Sequence, residues 1–236
     1  MAKHLDLEEQ EQLDELKHFW KQYGDRITWV LIIVFGAVAA WNGYHYWQRS
    51  QAAQAAVMYD EVERAVQSGE IPRLDRALAD MQERFGRTAF AQQAGLLAAK
   101  TYYDKGHIDA AKSALGWVAG KSSDEGYQAI ASLRLAGVLL EAKAYDEALK
   151  ALSGTFPKDF AALVADRRGD IFIAQGKKNE AKTEYEKAYK DMDGRTEYRR
   201  LVEVKLNALG LNPTMALSNP AVAAAVTPAS ATEVKQ

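Results

Sequence analysis

The sequence predicts an all-α protein: one N-terminal transmembrane helix followed by an α-solenoid of stacked helical hairpins. Three observations predict it. The 22 positions between Arg26 and Arg49 carry no charge. Beyond Arg49, apolar residues recur at helical spacing and no stretch alternates as a strand does. A ten-residue motif then returns at intervals near one hairpin's length.

The chain begins with an acidic segment, residues 1–26. Lys3, Lys17, Lys21 and Arg26 stand against Asp6, Glu8, Glu9, Glu11, Asp14, Glu15 and Asp25. Leu13, Leu16, Trp20 and Tyr23, with Phe19 beside them, form a narrow apolar stripe, so a short interfacial helix is expected here. Residues 27–48 follow, opening Ile27-Thr28-Trp29-Val30-Leu31-Ile32-Ile33-Val34-Phe35. At ~1.5 Å per residue this helix is about 33 Å long, enough for a hydrocarbon core of ~30 Å. Its far end, Trp41, Asn42, Tyr44, His45, Tyr46 and Trp47, suits the headgroup region, where rings sit half wet. A buried core helix and a cleaved secretory signal are the competing readings. Ala37-Val38-Ala39 has the form of a cleavage site, but signal peptides start short and basic, and this one starts long and acidic. Lys17, Lys21 and Arg26 precede the span and only Arg49 and the more distant Arg64 follow it. The positive-inside rule therefore places the N-terminus in the cytoplasm and the larger C-terminal part across the membrane.

Residues 49–210 read as the helical array. Ala52, Ala55, Tyr59, Val62 and Val66 share one helical face, and Leu74, Leu78, Met81 and Phe85 share another. Gly69, Gly86, Gly106, Gly126, Gly154, Gly176, Gly194 and Gly210 punctuate the chain at the length of a helix plus a turn. The stretch starting Gly106-His107-Ile108-Asp109-Ala110-Ala111 overlays Lys143-Ala144-Tyr145-Asp146-Glu147-Ala148 and Gly176-Lys177-Lys178-Asn179-Glu180-Ala181. Ala111 and Ala148 are 37 residues apart, and Ala148 and Ala181 are 33 apart. In the third unit Gly169, Phe172, Gly176, Ala181, Tyr185 and Ala188 supply small and aromatic residues, a small one where two helices cross and a ring from the neighbouring turn beside it. Ala99 with Tyr102, and Ala136 with Leu139, stand at corresponding places. Residues 197–209 are expected to close the open end. Residues 211–236, rich in proline and alanine, read as a disordered tail.

The search for chemistry leaves a binding module. A formal charge of −2 argues against a nucleic-acid partner. There is no cysteine, and the four histidines (His4, His18, His45, His107) stand in no metal-ligand spacing. No phosphate-binding glycine loop and no Gly-x-Ser-x-Gly elbow occurs, so no cofactor is expected. Asp146, Glu147 and Glu180 fall at helix starts, where a negative charge favours the helix dipole.

These repeats resemble the tetratricopeptide repeat, whose period is about 34 residues. Such arrays line a concave face with their first helices. Carried over by repeat position, the first unit contributes Gln93, Leu96, Lys100 and Tyr103. The second contributes Ile130, Leu133 and Leu140, and the third Leu163, Asp166, Asp170 and Ile173. The lining is largely apolar and fits an apolar or amphipathic segment, either a partner's or another part of this chain. Repeats that clamp a terminal carboxylate present Lys and Asn where this chain has Leu96, Leu133 and Asp166, so that use is not expected.

Residues 13–23, the anchor through Trp47, residues 133–152 and Ala161-Ala162-Leu163-Val164-Ala165-Asp166-Arg167-Arg168-Gly169-Asp170 together resemble the YfgM-type ancillary subunit of the bacterial SecYEG translocon. The likeness covers roughly residues 10–210. It implies a single-pass type II protein of the cell inner membrane, in contact with its lipid, with a periplasmic repeat domain. It also implies association with the SecYEG translocon and with a membrane-anchored periplasmic chaperone of prolyl-isomerase type, to which exported chains are passed. A scaffold for envelope assembly, in division or outer-membrane biogenesis, is the alternative from the residues alone; an enzyme is a third.

Overall fold

A computed structural model describes residues 7–211, with side chains from residue 13 onward. Among the described residues every regular element is helical: α1 (Leu7–Ser68), α2 (Ile71–Phe85), α3 (Ala89–Asp104), α4 (Ile108–Lys121), α5 (Glu125–Glu141), α6 (Tyr145–Ala151), a 3-10 turn (Lys158–Phe160), α7 (Ala161–Ala174), α8 (Lys178–Asp191) and α9 (Glu197–Ala208). The chain divides into two compact units that meet between Gln54 and Ala55.

The first unit is the part of α1 up to Gln54. It is long and apolar enough to cross a membrane, with none of its most apolar stretch buried. Trp29, Ile33, Phe35 and Trp41 are all exposed. The sequence suggests a short interfacial helix, an anchor and a first repeat helix, yet α1 has no break at either junction. The reason is the absence of a breaker: no proline occurs before Pro72, and Gly24, Gly36 and Gly43 all lie within the helix. Two polar side chains in the apolar stretch turn back onto their own backbone. Thr28 Oγ1 donates to the Gly24 carbonyl at 2.8 Å and Asn42 Nδ2 to that of Val38 at 3.0 Å. The ring of Trp41 meets His45 edge-on with centroids 4.6 Å apart.

The second unit is the solenoid. Its core forms three successive clusters, each built from neighbouring helices. Val62 and Ala65 of α1 join Leu74 and Met81 of α2, Tyr102 of α3 and Leu115 and Val118 of α4. Leu139 of α5, Ala148 of α6 and Ile171 of α7 form the next. Ala165 of α7, Tyr185 and Ala188 of α8, and Val202 and Leu206 of α9 form the last. The expected tail lies outside the described residues except for Leu211, which packs on that last cluster.

The motif that repeats in the sequence is the turn inside each hairpin. His107 N–H donates to Tyr102 O at 2.8 Å, Ala144 to Leu139 O at 2.9 Å and Lys177 to Phe172 O at 2.9 Å, the long closing bond of a Schellman cap. That cap needs a left-handed residue. Gly106 and Gly176 supply it at φ 79° and 76°, but in the middle hairpin Lys143 takes it at φ 59°. A side chain there costs about 1–2 kcal/mol, partly offset by glycine's greater freedom in the unfolded chain. Lys143→Gly is therefore expected to stabilise the full chain by about 0.5–1 kcal/mol in denaturant unfolding; a loss would contradict this reading of the turn. Gly126 departs from the expected punctuation, lying inside the first turn of α5, behind the Asp124 cap that accepts from Tyr127 N–H at 3.0 Å.

Candidate functional site

The eleven residues singled out from the sequence all lie on α3, α5 and α7. The structure gathers four of them, Leu96, Lys100, Tyr103 and Leu133, in one open groove of about 450 Å³. Ala99 and Leu115 complete its apolar floor, with Val138 beside them. Leu96 is only 8% exposed, so it is floor rather than rim. Arg134, Gly137, Glu141 and Arg167 also line the groove and are not among the positions carried over from the repeat. Their signal was present: Arg134, Gly137, Val138 and Glu141 keep the i, i+3, i+4, i+7 spacing of one helical face.

The groove's two walls are tied together at one end. Tyr103 Oη donates to a Glu141 carboxylate oxygen, joining α3 to α5. That bond, followed by partial desolvation, holds the Tyr103 phenol above its ordinary range. Lys100 pairs with Asp104 one turn along its own helix.

The other seven residues lie apart from this groove. Gln93 Nε2 donates to Tyr127 Oη at 2.7 Å. Ile130 packs against the first core cluster, and Leu140 against the second. Leu163 lines a separate concavity with Met192, Thr196 and Tyr198, and Ile173 is exposed.

Asp166 and Asp170 have partners within the chain. Asp166 is 2% exposed. Its carboxylate accepts from Lys205 Nζ at 2.8 and 2.9 Å and from Tyr198 Oη at 2.7 Å. Asp170 Oδ1 accepts from the same ammonium at 2.7 Å and from Tyr185 Oη at 2.8 Å. Lys205 and Tyr198 belong to α9, so the closing helix occupies this end of the α7 face.

Burial first, and then the hydrogen bond to Asp170, pushes the Tyr185 phenol far above its ordinary value; Tyr198 is raised by burial and by Asp166, and Tyr102 by burial and by Asp75. All three fold with a phenol pKa above the unfolded value of about 10. Their stability contribution is fully present below that pH and is lost as pH rises toward the folded values. Urea unfolding between pH 8 and 11.5 is expected to give a constant stability up to about pH 10 and a fall above it. A fall already complete by pH 9 would contradict the bonding pattern.

Among the described residues no group of three or more His, Asp or Glu stands where it could hold a metal ion. What the groove offers is an apolar floor with charged edges.

The family model for a tetratricopeptide repeat-like domain matches residues 17–211. The chain is similar to a protein named ancillary SecYEG translocon subunit from Neisseria gonorrhoeae, 36% identical over 213 residues, which cover 89% of this chain and 100% of the relative. A protein of the same name from Haemophilus influenzae is 31% identical over 203 residues, 86% of this chain and 98% of the relative. One from Escherichia coli is 28% identical over 206 residues, 86% of this chain and 97% of the relative.

Proposed function

The chain belongs to the tetratricopeptide repeat-like family of ancillary SecYEG translocon subunits, and from that premise we propose that it is a non-enzymatic, membrane-anchored adaptor at the SecYEG translocon. Residues 1–26 are cytoplasmic, residues 27–48 sit in the inner membrane lipid, and residues 49–210 form a periplasmic repeat domain. That domain receives exported chains as they emerge and passes them to a membrane-anchored periplasmic chaperone of prolyl-isomerase type.

The observation that carries this reading is the coexistence, in one chain, of an exposed, uncharged helical stretch and a repeat domain with an open groove. A row of exposed rings and branched apolar side chains such as Trp29, Ile32, Ile33 and Phe35 is costly in water and favourable in hydrocarbon. Lipid requires every backbone group to be satisfied within the segment, which a helix achieves. The back-bonded Thr28 and Asn42 leave few polar groups to desolvate. Orientation rests on Lys17, Lys21 and Arg26 on the N-terminal side.

Gentle solubilisation of membranes followed by affinity purification of the full chain tests the reading. Translocon subunits and the chaperone are expected in the eluate. An eluate free of translocon subunits would overturn it.

A further inference from the structure

If the chain is an adaptor, its groove has a chemical preference, and the charges around it specify which. Three cationic side chains line it, Lys100, Arg134 and Arg167, against one carboxylate, Glu141. Two of these four are engaged within the walls, Lys100 by Asp104 and Glu141 by Tyr103. Arg134 is exposed and forms no ion pair with any described residue. The nearest acid to Arg167 is Asp170, with Nη1 and Oδ2 3.9 Å apart. Asp170 already has Lys205 at 2.7 Å. The groove thus holds one guanidinium with no ion pair and one with only a long pair to an already engaged Asp170, in a chain whose formal charge is −2.

Gly137 lies between them, in the interior of α5. A glycine there weakens a helix relative to alanine, and packing does not require it. A Cβ at this position would meet nothing closer than Arg167 at 3.8 Å, an ordinary contact. Its effect is a bare strip of helix along the groove, with room for another backbone.

We infer that the groove between α3 and α5 takes an apolar polypeptide segment bearing a side-chain carboxylate. Arg134 and Arg167 hold the acid, and the apolar side chains pass over Gly137 onto Leu96, Leu115 and Leu133. Guanidinium is suited to this task because its planar fork matches a carboxylate with two parallel hydrogen bonds.

The test uses the full chain in lipid nanodiscs. The probe is an array of N-acetylated dodecapeptides anchored through amides, so that side chains are the sole source of carboxylate. Frames of Leu, Phe and Ala carry Glu, Gln or Lys at each position in turn. Glu frames are expected to bind at least tenfold better than their Gln and Lys counterparts. The double variant Arg134→Glu, Arg167→Glu is expected to reverse that order in favour of Lys frames. Gly137→Leu is expected to weaken binding to every frame at least tenfold, with an unchanged melting temperature. Equal binding of Glu and Gln frames, or a preference that survives both variants, would overturn the inference. So would cross-linking from position 134 to residues 212–236, which would assign the groove to the chain's own tail, or to a second copy. Translocon subunits co-purifying with a chain that shows no carboxylate preference would sink this inference alone. The preference without co-purification would sink the adaptor reading instead.

Discussion

Gly169→Ala is expected to cost the repeat domain about 1–3 kcal/mol, although alanine is the better helix former. A Cβ on residue 169 would fall 2.4 Å from Cε1 and 2.5 Å from Cδ1 of Tyr185. The ring has nowhere to go. It is 3% exposed, and its hydroxyl is bonded to Asp170. Relief requires either separating α7 from α8 or withdrawing the phenol from its acceptor. Overpacking of this kind typically costs ~1–3 kcal/mol, and the strained hydrogen bond adds about 1 kcal/mol. The improved helix propensity returns about 1 kcal/mol. Denaturant unfolding of the full chain in detergent measures the loss. Shortening the ring in the double variant Gly169→Ala, Tyr185→Leu is expected to recover at least ~1 kcal/mol relative to the sum of the single changes. A loss under about 0.5 kcal/mol for Gly169→Ala alone would show that the crossing is looser than described.

The second large effect is expected at Lys205. Lys205→Ala leaves Asp166, nearly inaccessible to water, with only the Tyr198 hydroxyl, and with Asp170 as a neighbouring like charge. Removing one partner of a buried pair typically costs ~3–5 kcal/mol. Here the loss has a ceiling. Besides this ammonium α9 is held by Val202, Leu206, the Tyr198 hydroxyl and Arg199 on Tyr189, a small set, so it detaches before the rest of the domain unfolds. Amide hydrogen exchange of residues 197–208 is the readout, with protection expected to fall about 100-fold or more, as ~3 kcal/mol implies. Replacing the pair together, Asp166→Leu with Lys205→Met, is expected to restore most of that protection, because a packed apolar pair avoids the desolvation penalty. Unchanged exchange in Lys205→Ala would mean that α9 is held without this ammonium, by Val202 and Leu206 with the Tyr198 and Arg199 contacts.

The solenoid was legible because its signals are local. Apolar residues at helical spacing marked the buried faces of α2 and of the solenoid part of α1, and the recurrent Gly106, Lys143 and Gly176 turned out to mark the same capped turn. Gly169 and Tyr185 both stand among the third unit's small and aromatic residues, but only the folded hairpin brings the two together. The lining of the groove was legible only in part. Positions carried over from the repeat include Leu96, Lys100, Tyr103 and Leu133 but not Arg134 or Glu141, and Glu141 gains its place from a wall contributed 38 residues away by Tyr103. Asp166 was read as lining because its partner, Lys205, is 39 residues further on, beyond any repeat period. The continuity of α1 was hidden for a different reason. Composition changes sharply at Arg26 and Arg49, but a change in composition is not a helix breaker.

Photocross-linking from a reactive amino acid placed at position 133, in cells carrying an exported chain stalled in the SecYEG translocon, tests the adaptor reading most directly. Adducts with the stalled chain and with translocon subunits are expected. Adducts confined to cytoplasmic proteins, in cells where protease added outside spheroplasts leaves residues 55–211 intact, would contradict it.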